Sequence, residues 1–208
     1  MTKVDIFFQF IEIYSPLIPL IIFLLRRQKR SGWIILLISY SVIYFSMIYA
    51  ANHFFGENNN IMYIILSGVT FCFFALLLEQ FLLSRKFKIF NRTVIIITVL
   101  FFIINAIWLE GTLAFNSYSS AVANLILVAY CIYYYKLQLE KPEIIFVEKE
   151  SSFWIVSGIF IYNAGNIFLF SMFSSLTTLA YELWDINIVL IFIMNIFFAK
   201  GIQCNWLK

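Results

Sequence analysis

The chain has 208 residues, 63% of them hydrophobic and only 12% charged, with a net charge of +3. Soluble domains are about half apolar and about a quarter charged, so no water-soluble core of this length hides so much apolar surface and the solvent must be lipid. The same composition excludes a nucleic-acid binder with a basic face on a soluble fold. It also leaves no polar stretch long enough for a second domain, so residues 1–208 read as one all-α membrane unit.

A helix needs about 20 apolar residues to cross the hydrocarbon. Seven segments meet that requirement, at residues 5–25, 32–51, 61–83, 93–110, 118–138, 153–174 and 178–200. The expected architecture is a bundle of seven transmembrane helices.

The first segment carries Glu12, Tyr14, Ser15, Pro16 and Pro19. Proline has no N–H, so Pro16 deprives the carbonyl of residue 12, and Pro19 that of residue 15, of a helical partner. A kink lined with free acceptors and a carboxyl group is expected. Such broken helices face a cavity or another helix. One reading is an outward-opening ligand or cation pocket with Glu12, Tyr14 and Ser15. The other is a kink that a neighbouring helix satisfies. The first segment is read as retained, because its basic cluster follows the apolar stretch and no A-x-A-like cleavage site is present.

The lone histidine, His53, falls in the loop after the second segment. It has no nearby ligand set in sequence, so no metal site is expected. The third segment contains Glu79, read either as reaching toward Arg85 and Lys86 or as a buried carboxyl whose protonation or pairing biases two helix arrangements. A catalytic carboxylate pair would require Glu79 to meet Glu12, but their depths place them in opposite halves of the bilayer. Glu110, Glu182 and Asp185 lie near helix ends and are expected to reach water.

The sixth segment bears a stripe of Trp154, Gly158, Tyr162, Gly165 and Leu169 at steps of four and three. Gly158 and Gly165 let another backbone approach, and Asn163 and Asn166 can hydrogen-bond across helices. Packing is one reading. A polar pocket of Tyr162, Asn163 and Asn166, answered by Asn187 and Asn195 from the seventh segment, is the other. The second and sixth segments open similarly, with GWIILLISY and FWIVSGIFIY, a short pattern compatible with a parallel three-helix repeat.

Loop charge sets the direction, because Lys and Arg collect on the cytoplasmic side. Arg26, Arg27, Lys29 and Arg30 follow the first segment, and Arg85, Lys86, Lys88 and Arg92 follow the third. Lys136, Lys141 and Lys149 flank the loop after the fifth, and Lys200 and Lys208 follow the seventh. Lys3 alone of the 14 basic residues falls on the opposite side. The N-terminus is therefore expected outside and the C-terminus in the cytoplasm of a multi-pass inner-membrane protein. Trp33, Trp108, Trp154, Trp184 and Trp206 fall near segment ends, as an interfacial belt would. Around Pro142, the inner loop LEKPEIIFVEKESS mixes both signs and reads as a solvated connector or a docking strip.

Cys72, Cys131 and Cys204 are far apart and form no metal or redox pair. No HExxH, GxSxG or phosphate loop occurs, no lysine sits mid-way in the seventh segment, and one histidine cannot supply two-His haem ligation. No cofactor and no catalysis are expected.

The run SPLIPL at Ser15–Leu20, the Asn-rich loop before the third segment and FWIVSGIFIYNAGNIFLF at Phe153–Phe170 resemble small seven-helix membrane proteins of Bacteroidetes-type bacteria. They are also similar to the membrane-sensor halves of some bacterial histidine kinases. The resemblance implies a sensory or regulatory membrane module. No output domain appears up to Lys208, so signalling is expected to pass through a separate cytoplasmic partner. The alternative is a small-solute transporter with a three-one-three arrangement, similar to the SWEET and PQ-loop families. Those families place a proline in the first helix of each repeat, and here the fifth, sixth and seventh segments have none.

Overall fold

In the computed structural model, residues 3–26, 31–55, 60–82, 84–111, 116–140, 147–173 and 180–206 are described. Among them the only regular structure is helical. The helices are α1 (Lys3–Tyr14), α2 (Leu17–Arg26), α3 (Gly32–Ala50), α4 (Asn60–Phe81), α5 (Arg85–Ile104), α6 (Ser117–Leu139), α7 (Ser151–Phe173) and α8 (Ala180–Trp206). Single π-helical turns extend α3 over Ala51–Phe55 and α5 over Asn105–Leu109, and a short 3-10 turn at Val147–Lys149 precedes α7. Arg27, Lys29, Arg30, Asn58, Asn59, Lys141, Pro142, residues 174–179 and Lys208 lie outside the described residues, as do the side chains of Glu182 and Trp206.

Six helical stretches are each long and apolar enough to cross a membrane, and a seventh is formed if α1 and α2 count as one bent span. The two halves meet at 48°, at the break that Pro16 imposes. The carbonyl of Ser15, expected to be left free by Pro19, instead accepts from Ile18 N at 3.0 Å. A three-residue turn closes where a four-residue one is blocked.

Two boundaries differ from the hydropathy reading. The fourth span starts at Arg85 and not at residue 93, so the basic cluster Arg85–Arg92 forms its first two turns. The last helix runs to Trp206 past Lys200. Lys200 is exposed, and a long charged side chain on an apolar stem ends a hydropathy window without ending a helix.

The packing forms a ring. α3 lies on α4, α4 on α6, α6 on α7, α7 on α8, and α2 returns from α8 to α3, while α4 also touches α7. α5 sits outside this ring against α4 and α6, with much of its length exposed. The polarity is inverted relative to a soluble bundle. Ile96, Ile97, Leu100, Ile103, Leu125 and Phe168 are exposed, whereas eight asparagines from Asn91 to Asn195 are buried. Burying amides and exposing branched aliphatics lowers free energy only when the outer solvent is apolar.

The tightest contact joins α7 to α8. A Cβ at Gly158 would stand 2.9 Å from Phe197 Cβ and 3.2 Å from the Met194 carbonyl, and one at Gly165 would stand 2.5 Å from Leu190 Cδ1. Gly201 makes the reciprocal approach from α8, with Ile155 and the Ser151 carbonyl against it. In the middle of the ring, Phe74 packs its ring on Tyr40 at 4.9 Å and on Phe198 at 5.9 Å. These side chains and the neighbouring Leu78, Ile155 and Ile159 are almost fully buried.

Candidate functional site

Gln9 and Glu12 lie three apart on α1 and share one face, and Ser15 follows at the same step in the turn that ends it. That face points inward. Gln9 donates to Asn52 Oδ1 at 3.0 Å. Glu12 is 4% exposed, and its Oε1 accepts from Tyr63 Oη at 3.4 Å and from Trp184 Nε1 at 3.2 Å. The Tyr63 and Trp184 rings meet edge to face at 4.9 Å. Ser15 Oγ accepts from Asn195 Nδ2 at 3.2 Å. A buried carboxyl or hydroxyl without partners would be costly, and here α4 and α8 supply them. Tyr14 does not join this group. It is exposed, with its ring on Phe10 and Phe45.

Tyr63 and Trp184 form one wall of a polar cavity of about 30 Å³. Tyr44 of α3, Thr70 of α4, Ser120 and Asn124 of α6, Tyr162 and Asn163 of α7 and Asn187 of α8 also line it, among apolar side chains that include Leu66, Phe71 and Phe102. It lies in the half of the bundle where α4, α6 and α8 begin and α3 and α7 end. Asn163 Nδ2 donates to the Ile159 carbonyl at 2.6 Å, which turns its Oδ1 outward from that bond.

Four buried polar atoms of the lining have no hydrogen-bond partner among the described residues: Ser120 Oγ, Asn124 Nδ2, Asn163 Oδ1 and Asn187 Oδ1. Their residues are at most 7% exposed. Unpaired buried groups of this kind each carry a desolvation penalty of about 1–3 kcal/mol. The volume suits one group of about the size of a water molecule. Amide oxygens, an amide N–H and a hydroxyl together match a neutral polar group that both donates and accepts. Beneath the cavity, the rings of Tyr40, Phe74 and Phe198 pack against one another.

Of the residues singled out in the sequence, Tyr162, Asn163 and Asn187 line the cavity, Glu12 stands behind its wall, and Asn195 bonds Ser15 instead. Asn166 is fully buried with neither side-chain polar atom partnered among the described residues, and it is not part of the lining. Trp184, Thr70, Ser120 and Asn124 enter the site without having been singled out. Ser117, Ser120 and Asn124 lie at steps of three and four on α6, and a polar stripe on a membrane-crossing helix is the signal that marks them.

The other acids are accounted for separately. Glu79 does not reach Arg85 or Lys86, the first of its two readings, and is a buried carboxyl with other partners. It accepts from Asn91 Nδ2 at 3.0 Å and pairs with Arg92 Nη2 at 3.4 Å. The basic run is helical, so residues 91 and 92 are carried back along α4 while Arg85 and Lys86 remain exposed at the helix start. Glu79 and Glu12 share no partner.

Glu110, expected to reach water, accepts from the backbone N–H groups of Ser117 at 3.1 Å and Tyr118 at 3.2 Å. A carboxylate there satisfies free donors at the start of α6 and the positive end of its dipole. Asn105, in the π turn, bonds to Glu110, Asn116 and Ser119 in the same cluster. His53 is exposed and stacked on Tyr49. No group of three or more metal-ligating side chains occurs among the described residues. The chain matches no protein-family model, no curated protein and no solved structure.

Proposed function

We propose that this chain is a non-enzymatic sensory or regulatory protein of the bacterial inner membrane. It would have seven spans, an outer N-terminus and a cytoplasmic C-terminus. Its cavity takes a small neutral polar group, and occupancy shifts α7 and α8 against α1 and α4 for a cytoplasmic partner to read. The observation that carries this reading is the set of four unpaired polar atoms from α6, α7 and α8 converging on one small cavity. Glu12 ties α1 to α4 and α8 immediately behind it. A ligand that pairs these groups favours the conformation that brings them together.

The basic residues support the direction, since Arg85, Lys86, Lys88 and Arg92 all open α5 at the end of the bundle remote from the cavity. The resemblance to sensor halves of histidine kinases agrees with a module that works through a partner. A transporter would need the polar path to continue, and the close ring packing of Tyr40, Phe74 and Phe198 beneath the cavity ranks sensing above it.

Cross-linking in native membranes, followed by affinity capture of the full chain and mass spectrometry, tests the reading. One cytoplasmic protein should be enriched with the native chain and depleted with Asn163→Leu. Capture of no specific protein, or solute uptake by proteoliposomes of the pure chain, would overturn it. Direction is tested by labelling intact cells with a membrane-impermeant maleimide, with the three native cysteines replaced by serine. A cysteine at position 53 should react and one at position 84 should not.

A further inference from the structure

α5 is flanked by two open, almost wholly apolar grooves of about 500 Å³ each. One, against α4, runs along Val99–Ile107 in the half of the bundle that holds the polar cavity. The other, against α6, runs from Phe90 through Val94 and Ile97 to Phe101 and is closed on the α6 side by Ile126, Ala129 and Tyr130. Phe90 to Phe101 spans about 16 Å of helix, which matches one leaflet, half of a hydrocarbon core about 30 Å thick.

The second groove has polar groups near its mouth. Lys86 is exposed and lies one turn before Phe90, on the helical face that continues through Val94, Ile97 and Phe101. Tyr130 is 6% exposed, and its hydroxyl is buried without a hydrogen-bond partner among the described residues. Phe87 packs against the rings of both Tyr130 and Tyr133, which fixes Tyr130 about a turn inside the mouth. The first two turns of α5 hold Arg85, Lys86, Lys88 and Arg92 and no acid.

We propose that the groove between α5 and α6 seats one acyl chain of an anionic phospholipid from the leaflet on the basic side. Lys86 meets the lipid phosphate and the Tyr130 hydroxyl donates to an ester oxygen. The chain length, the cation and the unpaired donor follow one another along the groove in the order of a lipid's tail, ester and headgroup charge. Neither groove has a cation in its lining, but Lys86 stands one turn beyond Phe90, where the second groove ends. This inference rests on the membrane reading above but not on the sensory one.

The test is native mass spectrometry of the full chain, delipidated in detergent and offered phosphatidylglycerol or phosphatidylcholine with the same acyl chains. The native chain should hold one phosphatidylglycerol in preference to phosphatidylcholine by about five-fold, the effect of one basic side chain on an anionic surface. Lys86→Ala should bring the two lipids to parity. Tyr130→Phe should weaken both equally, because the ester is common to both. Ala129→Trp, at an exposed position, should fill the groove and remove both. Lys200→Ala, a basic residue on α8, should leave the preference intact.

Equal binding of both lipids by the native chain, or a preference that survives Lys86→Ala, overturns the proposal. So does a dimer peak that Ala129→Trp abolishes, since a second copy would then own the groove. A chain that stays dispersed in buffer without detergent would instead overturn the membrane reading itself.

Discussion

Trp184 donates its indole N–H to the carboxyl group of Glu12 across 172 residues of sequence, at 3.2 Å. A tryptophan near a span end normally marks the interface; this one turns inward and makes the polar contact that binds the first helix to the last. Trp184→Phe keeps the ring beside Tyr63 and removes only the N–H. It is expected to lower stability by about 1.5–3 kcal/mol, the range for a bond to a charged group, or less where the carboxyl is neutral. A double-mutant cycle with Glu12→Gln, read as thermal unfolding in nanodiscs, should show non-additive losses. Additive losses would mean that the two side chains are not coupled.

At the other end of the bundle, Glu79 has two partners of unequal weight. The Arg92 side chain is 70% exposed, so its ion pair is screened and worth about 0–1 kcal/mol. Asn91 is fully buried and bonds both Glu79 and the Ala75 carbonyl. Asn91→Ala should therefore destabilise more than Arg92→Ala, by about 1–3 kcal/mol against less than about 1. Equal losses in chemical unfolding would reverse that ranking.

The glycines of the α7–α8 contact separate by what each faces. Gly165 has the closer neighbour, but that neighbour is the end of a leucine side chain, which can rotate away. Gly158 meets Phe197 Cβ and a backbone carbonyl, which cannot. Gly158→Ala is expected to cost about 1–3 kcal/mol by overpacking, and Gly165→Ala less. Unfolding curves for the two variants decide the order.

The unpaired amides of the cavity give a prediction of opposite sign. Asn187→Leu replaces a buried, incompletely bonded amide by an apolar group of similar size, so the protein should become more stable. The same change should abolish partner regulation, the signature of a site kept for binding at the expense of stability. A fall in Tm with regulation intact would assign Asn187 to structure alone.

Much of the fold is legible in sequence because lipid imposes a crude rule: about 20 apolar residues per crossing. The bend at Pro16 follows from a missing N–H. The rule fails where charge and helix coexist. Arg85–Arg92 read as a loop because hydropathy registers their charge and not their backbone, and with them went the correct partners of Glu79. The cavity was half visible. Tyr162 stands out in a glycine-bearing stripe with Asn163 beside it, whereas Thr70 sits in a mostly apolar run and Asn124 ends the short polar stripe of α6, and only the ring packing brings them together. Tyr14 shows the converse: adjacency to a kink does not tell which way a side chain turns.

The bend between α1 and α2 has a consequence for how the protein is made. Neither half, at 12 and 10 residues, is long enough to cross the hydrocarbon alone. The polar face with Glu12 and Ser15 acquires its Trp184 and Asn195 partners only when α8 has been synthesised. The Glu12 segment thus leaves the ribosome well before the residues that pair its buried polar groups, and chains arrested before residue 184 should expose it to quality-control proteolysis while chains that include α8 do not.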